Sequence, residues 1–252
     1  MNKLPQITLA FWVMKICATT LGETAGDLMS MTLNVGYAMS SLILISLFLM
    51  SLIGQLRARS YHPALYWTVI LTTSTAGTTM SDFMDRTLGL GYATGSAILI
   101  AILVTTMVVW KLSEGSLAVD SIRSRRGELF YWSAILFSNT LGTALGDYLA
   151  DDSGLGFMGG ALVIGSLLAV IVLAKFYTRI STVLLFWLAF VLTRPFGATV
   201  GDVLTKSHEQ GGLDFGTVGS SAILAAILVG LVMLASWSMA RRPVGMLGSS
   251  AK

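Results

Sequence analysis

Long apolar runs alternate with short polar connectors along the whole chain. Eight such runs stand out, at 7–28, 36–55, 63–84, 92–110, 129–149, 157–175, 180–203 and 217–238. Each is near the ~20 residues needed to cross the hydrocarbon core of a bilayer. The pattern predicts an all-α integral membrane protein with eight transmembrane helices in one transmembrane domain.

The runs are copies of one unit. Trp12, Trp67, Trp132 and Trp187 each lie fifteen residues before an aspartate: Asp27, Asp82, Asp147 and Asp202. Gly22, Gly77, Gly142 and Gly197 lie five before it, and Gly26, Ser81, Gly146 and Gly201 directly before it. The core therefore reads G-x-x-x-[GS]-D four times. A connector glycine follows in every copy: Gly36, Gly91, Gly156 and Gly216. This predicts four two-helix repeats, at 7–57, 61–111, 127–176 and 180–239, with a linker at 111–128. A Gly/Ser-rich tail from 243 to 252 is expected to be disordered. Successive aspartates are 55, 65 and 55 residues apart, so the chain also reads as two halves. Two helices per unit give every copy the same orientation. The repeats are thus expected to be parallel, pseudo-symmetric about the membrane normal.

Charge supplies the orientation. Arg57, Arg59, Lys111, Arg123, Arg125, Arg126, Lys175 and Arg179 follow the even helices; Lys3, Arg241, Arg242 and Lys252 flank the ends. The connectors inside the repeats hold Asp85, Asp151, Asp152, Glu209 and Asp214 against Arg86 and Lys206. The positive-inside rule then places both termini in the cytoplasm. The first run carries Lys15, Glu23 and Asp27 and lacks a small-residue cleavage site, so it reads as a retained helix.

Composition agrees, with 54% hydrophobic residues, 12% charged and a mean hydropathy of +0.77. A single cysteine, Cys17, excludes an internal disulfide, and two histidines leave too few ligands for an ordinary zinc site. No basic patch with interleaved aromatics suggests nucleic acid. No Ser/His pair, HExxH or nucleotide motif suggests an enzyme, and no resident cofactor is expected. The expected partners are the lipid bilayer, a small ion or solute, and a second copy of the chain in a homo-oligomer.

Candidate chemistry lies on the odd helices. On a wheel of about 100° per residue, every marked position falls within one arc of about 140°. That face should point into the bundle. Lys15, Glu23 and Arg194 carry charges that cost roughly 2.5–3.5 kcal/mol each in mid-bilayer if unpaired. Glu23 and Asp27 share a helix face, and threonines, serines and Asn139 enrich the same level. Oxygen ligands of this kind suit hard or borderline cations and protons. The copies differ: four before the aspartate stand Glu23, Thr78, Thr143 and Ala198, and eight before it Thr19, Ser74, Asn139 and Arg194. Repeats 1 and 4 are therefore expected to hold the functional centre. The glycines read as close-packing devices, the tryptophans as packing residues or interface anchors. The aspartates read either as structural groups near helix ends or as ion contacts.

The repeated tryptophan and G-x-x-x-[GS]-D core, over about 7–237, resembles a bacterial membrane-protein family of unknown function made of four tandem repeats. The resemblance implies a bacterial inner-membrane location and no established activity. Glu23-Thr-Ala-Gly-Asp27 is also similar to the E-x-G-D core of the manganese/calcium cation exchangers, with Leu28 where a basic residue follows in that family. It implies a metal site that includes Glu23 and Asp27. Three functions are consistent with the sequence. The first is a secondary transporter of a divalent cation, exporting it against protons and binding it through Glu23, Asp27, Asp82, Asp147 and Asp202. The second is a small organic-anion transporter that uses Lys15 and Arg194. The third is a non-transporting sensor or assembly protein whose buried charges fix helix register.

Overall fold

The computed structural model describes residues 3–240, and the tail from 243 lies outside the described residues. Among the described residues there are eight long helices: α1 Leu9–Asp27, α2 Tyr37–Arg57, α3 Pro63–Asp82, α4 Tyr92–Glu114, α5 Arg125–Asp147, α6 Gly156–Tyr177, α7 Thr182–Thr205 and α8 Thr217–Ala240. The repeat aspartates end α1, α3 and α5, and a single π-helical turn follows each of them. The fourth copy instead continues as α-helix to Thr205. Helix α4 runs to Glu114 and α5 starts at Arg125, where the Ser124 hydroxyl accepts from the Gly127 N–H. The expected linker of 111–128 thereby shrinks at both ends. Each connector glycine has a positive φ: Gly36 +80°, Gly91 +73°, Gly156 +67° and Gly216 +69°. A side chain would strain that backbone, which explains why glycine recurs there.

The odd helices form a closed ring in the order α1–α3–α5–α7–α1. Each even helix packs mainly outside the odd helix of the next repeat: α2 on α3, α4 on α5, α6 on α7 and α8 on α1. No repeat could bury its own helices alone, so the four copies interlock.

Small residues set the ring's spacing by one rule. A methyl at Gly22 would meet Ser74, one at Gly77 would meet Asn139, one at Gly142 would meet Arg194, and one at Gly197 would meet Thr19. The glycine of each copy thus makes room for the residue eight before the aspartate in the next. The closest atoms to Gly77 include the backbone of Asn139 and Thr140, at 2.9 Å, which no rotamer change relieves. Gly77→Ala is expected to lower stability by ~1–3 kcal/mol. Gly230→Ala, with nothing within 4 Å, should be neutral or slightly stabilising. Thermal melts in detergent check the contrast, and equal melting points would contradict the ring packing.

At the N-terminal end of the odd helices, aromatic pairs repeat the interlock. Phe11 meets Trp67, Tyr66 meets Trp132, Tyr131 meets Trp187, and Phe186 meets Trp12, with ring centroids 5.6–6.1 Å apart. The Tyr66 and Tyr131 hydroxyls lie 2.7 Å apart. Trp67, Trp132 and Trp187 are buried, so packing rather than interface anchoring accounts for these three.

The even helices turn rows of Leu, Ile, Val and Met outward, among them Leu42, Met50, Val104, Leu162, Val170 and Leu234. Such a continuous apolar surface belongs in lipid. Five helices, α2, α4, α6, α7 and α8, are long and apolar enough to cross a membrane. The other three, α1, α3 and α5, bury most of their threonines and serines in the ring together with Lys15, Glu23, Asp27, Asp82 and Asp147, so much of their polarity is hidden from lipid.

Candidate functional site

Polar side chains stack in layers inside the ring, each layer drawing on all four repeats. Nearest the aromatic end lies Lys15, completely buried. Its ammonium sits 4.1 Å above the Phe190 ring and donates one long bond, 3.4 Å, to Asn139 Oδ1. The Asn139 amide donates in turn to Thr73 Oγ1. Among the described residues no carboxylate pairs with Lys15.

The next layer is a hub around Glu23. Arg194, completely buried, donates through Nη2 to Glu23 Oε2 at 2.8 Å. The same nitrogen lies 2.6 Å from Thr78 Oγ1 and 2.7 Å from Thr143 Oγ1. Both hydroxyls are also within hydrogen-bonding distance of Glu23 Oε2, at 3.3 and 3.2 Å. Glu23, Thr78 and Thr143 are equivalent positions of three repeats, and the ring brings them to one point. Arg194 threads across the space left by Gly142, beside Pro195, which cannot donate a backbone bond within α7. Its Nε and Nη1 have no hydrogen-bond partner among the described residues, although both are buried.

The four repeat aspartates form the third layer, and two cations bridge them. Arg86 holds Asp82 at 3.1 Å and Asp147 at 3.2 Å. Lys206 holds Asp27 at 2.9 Å and Asp202 at 3.2 Å. Arg86 lies in the turn after α3 and Lys206 directly after α7. Burial alone would lower both pKa values. Asp82 and Asp147 around Arg86, and Asp202 and Asp27 around Lys206, more than offset it, so both groups stay charged. Each bridge joins neighbouring helices, α3 with α5 and α7 with α1. The ionic pairing therefore cuts across the two halves suggested by the spacing of the aspartates.

Glu23, Asp147 and Asp202 come closest to a cation site. One carboxylate oxygen from each lies within 4.8 Å of the others, and all three residues are buried. The sequence pairing of Glu23 with Asp27 looked along one helix; the ring instead sets Glu23 beside carboxylates of repeats 3 and 4 and gives Asp27 to Lys206. The likeness to the E-x-G-D core is not sustained, because two residues, Thr24 and Ala25, separate Glu23 from Gly26. Arg194 pairs with Glu23, Lys206 pairs with Asp202, and Lys15 pairs with neither carboxylate.

Sequence reasoning passed over three sets of residues. By charge distribution alone Arg86 and Lys206 read only as connector charges, although each stands four residues, one helical turn, after its aspartate. Periodicity sets Thr78 and Thr143 on the polar level but does not show their link to Glu23. The aromatic residue directly before each tryptophan also went unmarked.

A groove of about 350 Å³ on the apolar face of α6 and a hollow of about 80 Å³ beside Lys3 and Glu128 both lie away from these layers. The family model for the Repeat of Unknown Function (DUF347) matches residues 10–61, 65–116, 130–181 and 185–242. No curated protein and no solved structure matches the chain.

Proposed function

Starting from a chain that belongs to the DUF347 repeat family, we propose that it is a secondary-active transporter of a divalent metal cation, exchanged against protons. All eight helices cross the bilayer in this reading, related by an axis along the membrane normal, with both termini in the cytoplasm of a bacterium. The aspartate end then faces outward. One observation carries the proposal: carboxylate oxygens of Glu23, Asp147 and Asp202, from three repeats, converge within 4.8 Å inside a ring of membrane-type helices. Three oxygen donors, with the Thr78 and Thr143 hydroxyls beside them, suit a hard or borderline divalent ion. Five carboxylates face Arg194, Arg86 and Lys206 in these two layers, a formal excess of two negative charges that one divalent cation balances.

The test is flux in proteoliposomes with a panel of divalent metals and organic acids. Glu23→Gln and Asp147→Asn should each reduce metal flux at least about tenfold, since each removes a charged ligand. Unchanged metal flux in both variants would sink the proposal. Lys15 favours a second reading, transport of a small organic anion, because this buried cation lacks a carboxylate partner among the described residues. In that case Lys15→Met should abolish organic-acid flux, and the wild type should carry no metal.

A further inference from the structure

Each carboxylate of the Glu23–Asp147–Asp202 cluster already holds one cationic side chain: Arg194, Arg86 and Lys206 respectively. The three attachments are not equivalent. Arg86 can release Asp147 and keep Asp82 at 3.1 Å. Lys206 can release Asp202 and keep Asp27 at 2.9 Å. Arg194 has Glu23 as its single carboxylate partner among the described residues.

Arg194 is also poorly satisfied where it stands. A guanidinium has five N–H donors, and a structural arginine in a dry core uses them, because each buried donor left unpaired is destabilising. Here the bonds run through Nη2, while Nε and Nη1 are buried without partners among the described residues. The ring does not need an arginine for its packing either. The equivalent positions in the other repeats are Thr19, Ser74 and Asn139, and each of them seats against the preceding copy's glycine as Arg194 does against Gly142. Arg194 thus occupies the carboxylate that a cargo ion needs, through an attachment that leaves most of its own donors idle.

We infer that Arg194 is a tethered stand-in for the cargo: it holds Glu23 when no cation is bound, and a divalent cation must displace it to complete the cluster. The inference rests on the cation-transport reading. It assigns Arg194 to positioning and release rather than to ligation. A carrier whose empty site is filled by its own cation never exposes a bare glutamate to the membrane interior. Its competition with the cargo also weakens binding enough for release.

The test compares Mn2+ binding to the purified full chain, by titration calorimetry in detergent, for wild type, Arg194→Gln and Arg194→Lys. Removing the competitor should tighten Mn2+ binding by about tenfold or more in Arg194→Gln, while Mn2+ flux falls because release fails. Arg194→Lys, with a shorter reach and no fork, should fall between the two. Mn2+ should also raise the melting temperature of Arg194→Gln more than that of wild type, since the metal then supplies the missing charge. This readout remains where the variant folds poorly without metal. If the variants bind Mn2+ with wild-type affinity or more weakly, Arg194 is not a competitor and the inference falls. If neither wild type nor Arg194→Gln binds Mn2+ at all, the cation reading itself fails.

Discussion

Arg194→Gln, made with Glu23 left in place and assayed without metal, should lower stability by ~3–5 kcal/mol. Glu23 is 3% exposed and would lose a charged partner at 2.8 Å, leaving the Thr78 and Thr143 hydroxyls to solvate it. An isolated buried carboxylate is far more costly than a paired one, because its Born solvation is lost and nothing replaces it. The double variant Glu23→Gln/Arg194→Met removes both charges and should regain most of that loss. Chemical denaturation in detergent micelles gives the comparison. A double variant no more stable than Arg194→Gln alone would mean that the arginine acts through shape, not charge.

Removing either bridging cation of the aspartate layer should have the next largest effect. Lys206→Gln strands Asp27 and Asp202, and Arg86→Gln strands Asp82 and Asp147. All four aspartates are buried, which argues for a large penalty. The side chains of Lys206 and Arg86 are 20% and 33% exposed, so water reaches this layer and screens it. The expected loss is therefore ~1–3 kcal/mol for each. The two bridges share no carboxylate, so the losses should add in the double variant. Lys206→Arg keeps the charge and should stay near wild type. A strongly non-additive double variant would show instead that the four aspartates act as one unit.

These two experiments probe different layers for a structural reason. The hub around Glu23 ties α1, α3, α5 and α7 together through one oxygen, Glu23 Oε2. The bridges tie the helices two by two. At the aspartate end the α3–α5 and α7–α1 pairs are held by charge, whereas among the described residues no ion pair joins α1 with α3 or α5 with α7 there.

Much of this was legible in the chain itself. Helical periodicity is local, so the offsets of Trp, Gly and Asp placed glycine, carboxylate and hydroxyl on one face without any knowledge of neighbours. The same offsets marked Glu23 and Arg194 as the exceptions among four copies, and the structure joins those two residues directly. The connector glycines were visible as well, because only a positive φ fits that turn.

What the sequence could not contain was the order of the ring. Four near-identical units offer near-identical faces, so no local pattern says which copy borders which. Closure in the order α1–α3–α5–α7 decides that Arg194 meets Glu23, that Lys206 crosses to Asp27, and that Asp147 joins the cluster in place of Asp27. Each of these contacts links residues far apart in the chain. Their geometry follows from how closely the glycines let the helices approach, and packing between helices, not periodicity within one, determines that distance.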